Sequence, residues 1–244
     1  MSTPSWFALM IIFWMIAYFE SVRLGFKQKT YAFPLWCVGL NVTWEFLSAV
    51  YAIRENQPIH VAAGSALCLI LDILILVTYI KYGLKYWPHN LSHKFFYPHL
   101  GLVLVVCMAF QYGMIKSFGL TDGIAYSGFL QNLVMSVLFI YMIISRNGPE
   151  GQNMVIAVTK LIGSAIPTII VGVIGIPKGS PNLLIRYVGL ITIVLDVIYV
   201  LALYNAMRKT ESKIFFIRWF DLINRGDTSA GQEKIITNSP VPQT

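Results

Sequence analysis

Charge is scarce in this chain. Only 12% of its 244 residues are Asp, Glu, Lys or Arg, while 57% are hydrophobic; a soluble domain carries about a quarter charged residues. That shortage excludes a water-soluble domain as the main body. No two acids are adjacent, which removes the Asp-rich Mg²⁺ site that ionises a diphosphate. Cys37, Cys68 and Cys107 stand singly, with no CxxC or Cys/His ligand spacing, and read as small buried hydrophobes. His89 and His93 are four apart, but Pro88 and Pro98 flank them, so no helix aligns them. No metal or other cofactor is implied. The net charge of +7 is spread over loops rather than gathered on a basic face, so no nucleic-acid partner is expected.

What is present is apolar length. Seven runs, at 5–22, 31–52, 61–80, 97–115, 123–144, 154–174 and 183–207, come close to the roughly 20 residues that cross a bilayer. The expected fold class is all-α, a polytopic membrane protein built as a bundle of seven transmembrane helices. The N-terminus lacks a basic segment and a convincing cleavage site, so it reads as the first membrane helix rather than a signal peptide. Residues 1–209 form the membrane domain. The stretch 210–225, with "SKIFFIRWFDLINR", mixes aromatics with Lys213, Arg218 and Arg225 and reads as an interfacial amphipathic segment. Residues 226–244 are polar, hold two prolines, and are expected to be disordered.

Loop charges predict the orientation. Arg23, Lys27 and Lys29 follow the first helix, Lys81, Lys85 and Lys94 the third, and Arg208, Lys209, Lys213 and Arg218 the last. Those flanks are expected in the cytoplasm and the N-terminus outside or in the lumen. The membrane would be the endoplasmic reticulum in a eukaryote and the plasma membrane in a bacterium.

A charge at the bilayer centre is costly and marks a functional candidate by default. Three acids qualify, Glu45 in helix two, Asp72 in helix three and Asp196 in helix seven, all near the midplane by a rise of about 1.5 Å per residue. Asn41, Trp44, Glu45 and Ser48 share one helical face. So do Ser65, Cys68, Asp72 and Tyr79 on helix three, and Thr192, Asp196 and Tyr199 on helix seven. Helix five adds Tyr126, Ser127, Gln131, Asn132 and Ser136; helix six adds Thr159, Lys160, Ser164 and Thr168. Many of the neutral ones serve ordinary helix–helix hydrogen bonding.

A carboxyl in an apolar pocket holds its proton strongly and can serve as a general acid. Aromatic walls, such as Trp44, Tyr51, Tyr79, Tyr126, Tyr199 and Tyr204 would offer, stabilise cations. Acid plus aromatics suits protonation of an epoxide or alkene and cyclisation of the resulting carbocation. A proton-coupled transporter of a small hydrophobic metabolite, which also needs buried acids, is the alternative. A retinal protein is excluded, because helix seven has no lysine for the Schiff base. A carrier of triple-helix repeats should show Pro-Gln in its helices, and no predicted helix does.

The run "TYAFPLWCVGLNVTWEFLSAVY", a following apolar helix ending "YIKYG", the central "AYSGFLQNLVMSVLFIYMIISRNGPEGQ" and the terminal "LDVIYVLALYNAMRK" together resemble the integral-membrane terpene cyclases of the paxilline and pyripyropene type. The likeness covers about residues 5–209. It implies a membrane-bound enzyme of meroterpenoid or indole diterpene biosynthesis, of isomerase or lyase type. Its substrate would be a prenylated small molecule, with or without an epoxide; its other partner is membrane lipid. By the resemblance, Glu45 and Asp196 form the essential catalytic pair. Asn41, Trp44, Asp72, Tyr79, Gln131, Asn132 and Tyr199 are expected to bind substrate. Asp72 departs from the family pattern, which is Asn-like there.

Overall fold

The computed structural model describes residues 3–56, 59–176 and 179–236. Among them there is no strand. The helices are α1 (Thr3–Gln28), α2 (Leu35–Arg54), α3 (Ile59–Tyr82), α4 (Phe96–Phe118), α5 (Leu120–Arg146), α6 (Met154–Pro167) and α7 (Leu183–Ile236). Seven segments are long and apolar enough to cross a membrane, as the hydropathy pattern predicts.

Boundaries shift where proline or a loop intervenes. α2 begins at Leu35 rather than 31, because Pro34 caps it in an extended conformation and the residue before a proline is driven out of the helical region. α6 gives way after Pro167 to a π-helical segment, Thr168–Ile174. Proline removes an intrahelical donor, and the ladder re-registers beyond it. α7 runs unbroken past 209 to Ile236. The backbone is therefore helical through the expected interfacial segment and the first part of the expected tail. No proline interrupts the chain there before Pro240. Residues 237–244 lie outside the described part.

The bundle is inside-out relative to a soluble protein. Large aliphatic side chains such as Val105, Ile144 and Val194 face outward, as lipid contact requires. Asp72, Gln111, Lys160 and Asp196 are at most 1% exposed. Around the bundle the helices follow the order α1, α6, α7, α5, α4, α2, α3 and back to α1, with α2 also packing on α5 across the middle. Small residues permit the closest approaches. A Cβ at Gly189 of α7 would lie 2.3 Å from Thr168 Oγ1, and one at Gly123 of α5 would lie 2.6 Å from the backbone of α4.

The end carrying the α1–α2, α3–α4 and α5–α6 connections is tightly knit. The Arg146 guanidinium lies 4.2 Å from the ring centres of both Tyr31 and Tyr86 and donates to the carbonyls of Tyr31 and Glu150. Lys85 pairs with Glu150 at 2.7 Å, and the Gly151 N–H donates to Gln28 Oε1 at 2.8 Å. Partial burial pushes the Glu150 carboxyl up, but hydrogen bonds from Lys85 and Tyr86, with the charges of Lys85 and Arg146, outweigh it and hold Glu150 below its ordinary value.

Candidate active site

Helical rise places the polar interior. Tyr18, Glu45, Asp72, Ser136 and Ser164 each lie ten residues from the helix end at the knitted face, roughly 15 Å deep. Asp196 lies fourteen residues before Thr210, where the last span ends. Common depth alone would permit one cluster. The packing order divides the residues into two.

The first centre lies among α1, α2 and α3. Glu45 is buried within reach of the Ser65 hydroxyl and the Cys68 thiol. Asp72, fully buried, interacts electrostatically with Glu45, and the Tyr18 hydroxyl faces both acids. Asn41 donates from Nδ2 to Tyr18 Oη at 3.0 Å. Asn41 also neighbours Asp72, yet neither oxygen of Asp72 has a protein partner of good hydrogen-bond geometry. No cationic side chain is paired with Glu45 or Asp72 among the described residues.

The second centre lies among α5, α6 and α7. Lys160 Nζ sits 2.6 Å from Asp196 Oδ1 and 2.7 Å from Ser136 Oγ, and Ser136 Oγ donates to the same Oδ1 at 2.6 Å. Lys160 is 1% exposed and Asp196 is wholly buried, so this is an ion pair removed from water. The other oxygen, Asp196 Oδ2, has no hydrogen-bond partner among the described residues. One turn on, Tyr199 interacts electrostatically with Asp196, and its hydroxyl is buried without a partner. Asn132 supports the same corner by donating to Ser164 Oγ at 2.8 Å. From α2, Cys37 lies close enough to Lys160 to feel its charge.

An aromatic row links the centres. Tyr18 meets Phe33, Phe33 meets Phe139, and Phe139 meets Tyr199, with ring centres 5.8, 5.0 and 5.3 Å apart. All three contacts are edge-on. Phe33, between α1 and α2, closes the row from the knitted end and is 1% exposed.

The predicted site residues therefore separate. Glu45, Asp72 and Asn41 meet in the first centre, and Asp196, Asn132 and Tyr199 in or beside the second. No hydrogen bond or ion pair joins Glu45 to Asp196. Trp44 tethers α2 to α5, donating to the Ile124 carbonyl at 3.0 Å. Gln131 accepts from Gln111 Nε2 at 2.7 Å, a link between α4 and α5. Tyr79 stands apart from the acids, stacked on Phe96 with ring centres 5.6 Å apart and packed against Tyr31 at the knitted end.

Two participants escape sequence reasoning. Lys160 is visible there only as one polar residue of helix six. The signal was its charge, because a lysine inside an apolar span needs a buried counter-ion. Tyr18 gives no such signal, since a tyrosine in a first span reads as an interface aromatic. Among the described residues no group of three or more His, Cys, Asp or Glu is arranged to hold a metal ion.

The family model of Pyr4-like transmembrane terpene cyclases matches residues 4–209. The Pyr4-family terpene cyclase mfmH of Annulohypoxylon moriforme is 28% identical over 162 residues, 64% of each chain. Terpene cyclase spyD of Aspergillus fumigatus is 24% identical over 152 residues, 62% of this chain and 63% of its own. Terpene cyclase adrI of Penicillium rubens is 25% identical over 203 residues, 81% of each. The chain thus spans somewhat under two thirds of the length of mfmH and spyD. No solved structure matches.

Proposed function

Because the chain belongs to the Pyr4-like transmembrane terpene cyclases, we propose that it is a membrane-bound cyclase that protonates an epoxide or alkene of a prenylated substrate and directs the carbocation through ring closure. The observation that carries this reading is a pair of buried centres with carboxyls at mid-depth, linked by a row of aromatic rings. Glu45, which has the neutral Ser65 and Cys68 beside it and no paired cation among the described residues, is the proton donor. Its cost in the membrane is offset by carrying the proton. The rings of Tyr18, Phe33, Phe139 and Tyr199 form a continuous row toward which a cation is drawn. Catalysis by protonation needs no diphosphate and no metal. The product is an isomer of the substrate.

The prenyl tail enters sideways from the lipid, with the polar head at an interface. The knitted end, with Lys81, Lys85 and Lys94, lies in the cytoplasm and the N-terminus on the opposite side. The sequon Asn90–Ser92 then stays out of reach of the glycosylation machinery. A glycosidase-sensitive mass shift in a eukaryotic host, lost in Asn90→Gln, would reverse this orientation.

The function is tested with protein purified in detergent and offered geranyl-, farnesyl- and geranylgeranyl-substituted phenols carrying a terminal epoxide. The expected result is a product of unchanged mass and new retention time. A proton-coupled carrier would return every one of these unchanged in detergent and accumulate it only in sealed vesicles under a pH gradient; that result would overturn the reading.

A further inference from the structure

Of the three midplane acids only Asp196 has a cation against it among the described residues. Lys160 and Ser136 both converge on one oxygen, Oδ1, and leave Oδ2 without a protein partner. Glu45 has the neutral Ser65 and Cys68 beside it, and Asp72 has Asn41 beside it without a hydrogen bond of good geometry. An acid held as half of a buried ion pair is a poor source of a proton, because giving one up first requires taking one up beside an ammonium. It is a well-placed acceptor.

We propose that Asp196 is the terminating base of the cyclisation, catalytic through Oδ2, and that Lys160 is the positioning residue that keeps it a carboxylate and fixes which oxygen faces the cation. This rests on the cyclase reading above. The steps balance. Glu45 gives its proton to the epoxide oxygen, the C–O bond breaks, and the neighbouring alkene's electron pair forms the first ring bond. Further alkenes repeat the attack and carry the positive charge along the row toward Tyr199. Asp196 Oδ2 then takes a proton from the carbon beside the last cation, and the C–H electron pair becomes the new C=C bond. Glu45 is left as carboxylate and Asp196 as acid, and water returns the proton from one to the other after release. Substrate and product are isomers, and no oxidant or reductant is consumed.

The assignment separates two kinds of failure. Loss of Glu45 stops the reaction before any cation forms. Loss of Lys160 leaves initiation intact and spoils the ending, because a lone carboxylate is costly to bury without its counter-charge and Asp196 is no longer held in place as the acceptor. The cation is instead quenched by water, giving an alcohol, or loses a different proton, giving another alkene isomer.

The test is the product pattern of Lys160→Met on whichever epoxyprenyl phenol the wild-type protein cyclises. Turnover is expected to fall by about 100-fold, the low end of a general base's contribution. The wild-type alkene is expected to lose its dominance to alcohols and alkene isomers. Ser136→Ala, which removes one of the two donors to Oδ1, should shift the pattern the same way by less. A protein weakened only in its packing would make less of the same product. A wild-type product ratio in Lys160→Met overturns the proposal whatever the rate. If Lys160→Met yields no product, the ratio from Ser136→Ala decides, and a wild-type ratio there overturns it equally. Activity surviving in Glu45→Gln would instead refute the cyclase mechanism while leaving the role of Lys160 to these ratios.

Discussion

Glu45 and Asp196 are both carboxyls buried at mid-depth in apolar helices, yet their neighbours differ in kind. Around Glu45 stand Ser65, Cys68, Tyr18 and Asp72, of which none is cationic. Around Asp196 stand Lys160 and Ser136, with the ammonium 2.6 Å away. Where no counter-charge is supplied, burial favours the protonated acid; where one is supplied, it favours the ion pair. On the mechanism proposed above, two carboxyls serve two opposite chemistries, proton donor and proton acceptor, and the lysine on α6 decides which. Placing them on opposite sides of an aromatic row keeps the donated proton and the recovered proton apart.

The contrast breaks most sharply at the donor. Glu45→Gln keeps the size and the hydrogen-bonding edge of the side chain and removes only the proton. Product formation is expected to fall by about 10⁴-fold, the upper end of what a general acid contributes, with insertion into the membrane unchanged. Turnover within a few-fold of wild type would end the view of Glu45 as the donor.

Next in size is the stability of the ion-pair centre. Asp196→Asn strands the Lys160 ammonium in an apolar interior, which costs about 3–5 kcal/mol. Asp196→Leu combined with Lys160→Met removes both charges and is expected to be close to wild type in stability, though without the wild-type product. Heating detergent-solubilised protein and following the surviving monodisperse fraction separates them. The single variant should be lost at a markedly lower temperature than the double. If the two behave alike, Lys160 and Asp196 do not form the isolated pair described above.

Asp72 sharpens the comparison within the first centre. Among the described residues neither of its oxygens has a hydrogen bond of good geometry, although Asn41 is beside it, and Asn at this position keeps the shape. Asp72→Asn should reduce turnover by no more than about tenfold, equivalent to about 1.4 kcal/mol on the barrier. A loss as deep as that of Glu45→Gln would mean that Glu45 and Asp72 share one proton and titrate as a unit.

How much of this was legible without coordinates follows from what each signal measures. Apolar run length is a local property, so all seven spans could be read, the sixth with the same bounds, 154–174; the start of α2 moved where Pro34 acts on the backbone, and the largest differences are at the ends of α1, Gln28 rather than 22, and α7, Ile236 rather than 207, where polar residues continue a helix beyond its apolar run. The depth of Glu45, Asp72 and Asp196 follows from counting residues, and so could be read too. Grouping is a property of packing. A count along α2 and α7 cannot say that Glu45 turns toward α3 while Asp196 turns toward α6. Tyr79 shows the same limit. It shares a helical face with Asp72, but seven residues separate them, about 10 Å of rise, and the ring joins the Phe96–Tyr31 cluster instead. Lys160 was readable in principle. Any lysine in an apolar span demands a buried acid, and helix seven offers Asp196.

The smallest effect comes from an exposed ion pair that serves as the control for the buried one. Lys85 and Glu150 are also a lysine and a carboxylate, 2.7 Å apart, but their side chains are 58% and 38% exposed. Water screens such a pair, so Glu150→Gln should cost less than about 1 kcal/mol. The Glu150 carboxyl is pushed up by partial burial, then brought below its ordinary 4.5 by the hydrogen bonds and charges of Lys85 and its neighbours. A carboxyl whose folded value is depressed stabilises the fold above the unfolded value, and that contribution disappears as pH falls through the folded value. The small difference in heat resistance between wild type and Glu150→Gln should therefore be present at neutral pH, shrink below about pH 4.5, and shrink again when salt is added at neutral pH. The larger difference between Asp196→Asn and the Lys160→Met/Asp196→Leu double variant should be indifferent to salt, because no counter-ion reaches the bundle interior. If salt moves both differences equally, the second centre is open to water, and the distinction between a dry ion pair and a dry proton donor no longer holds.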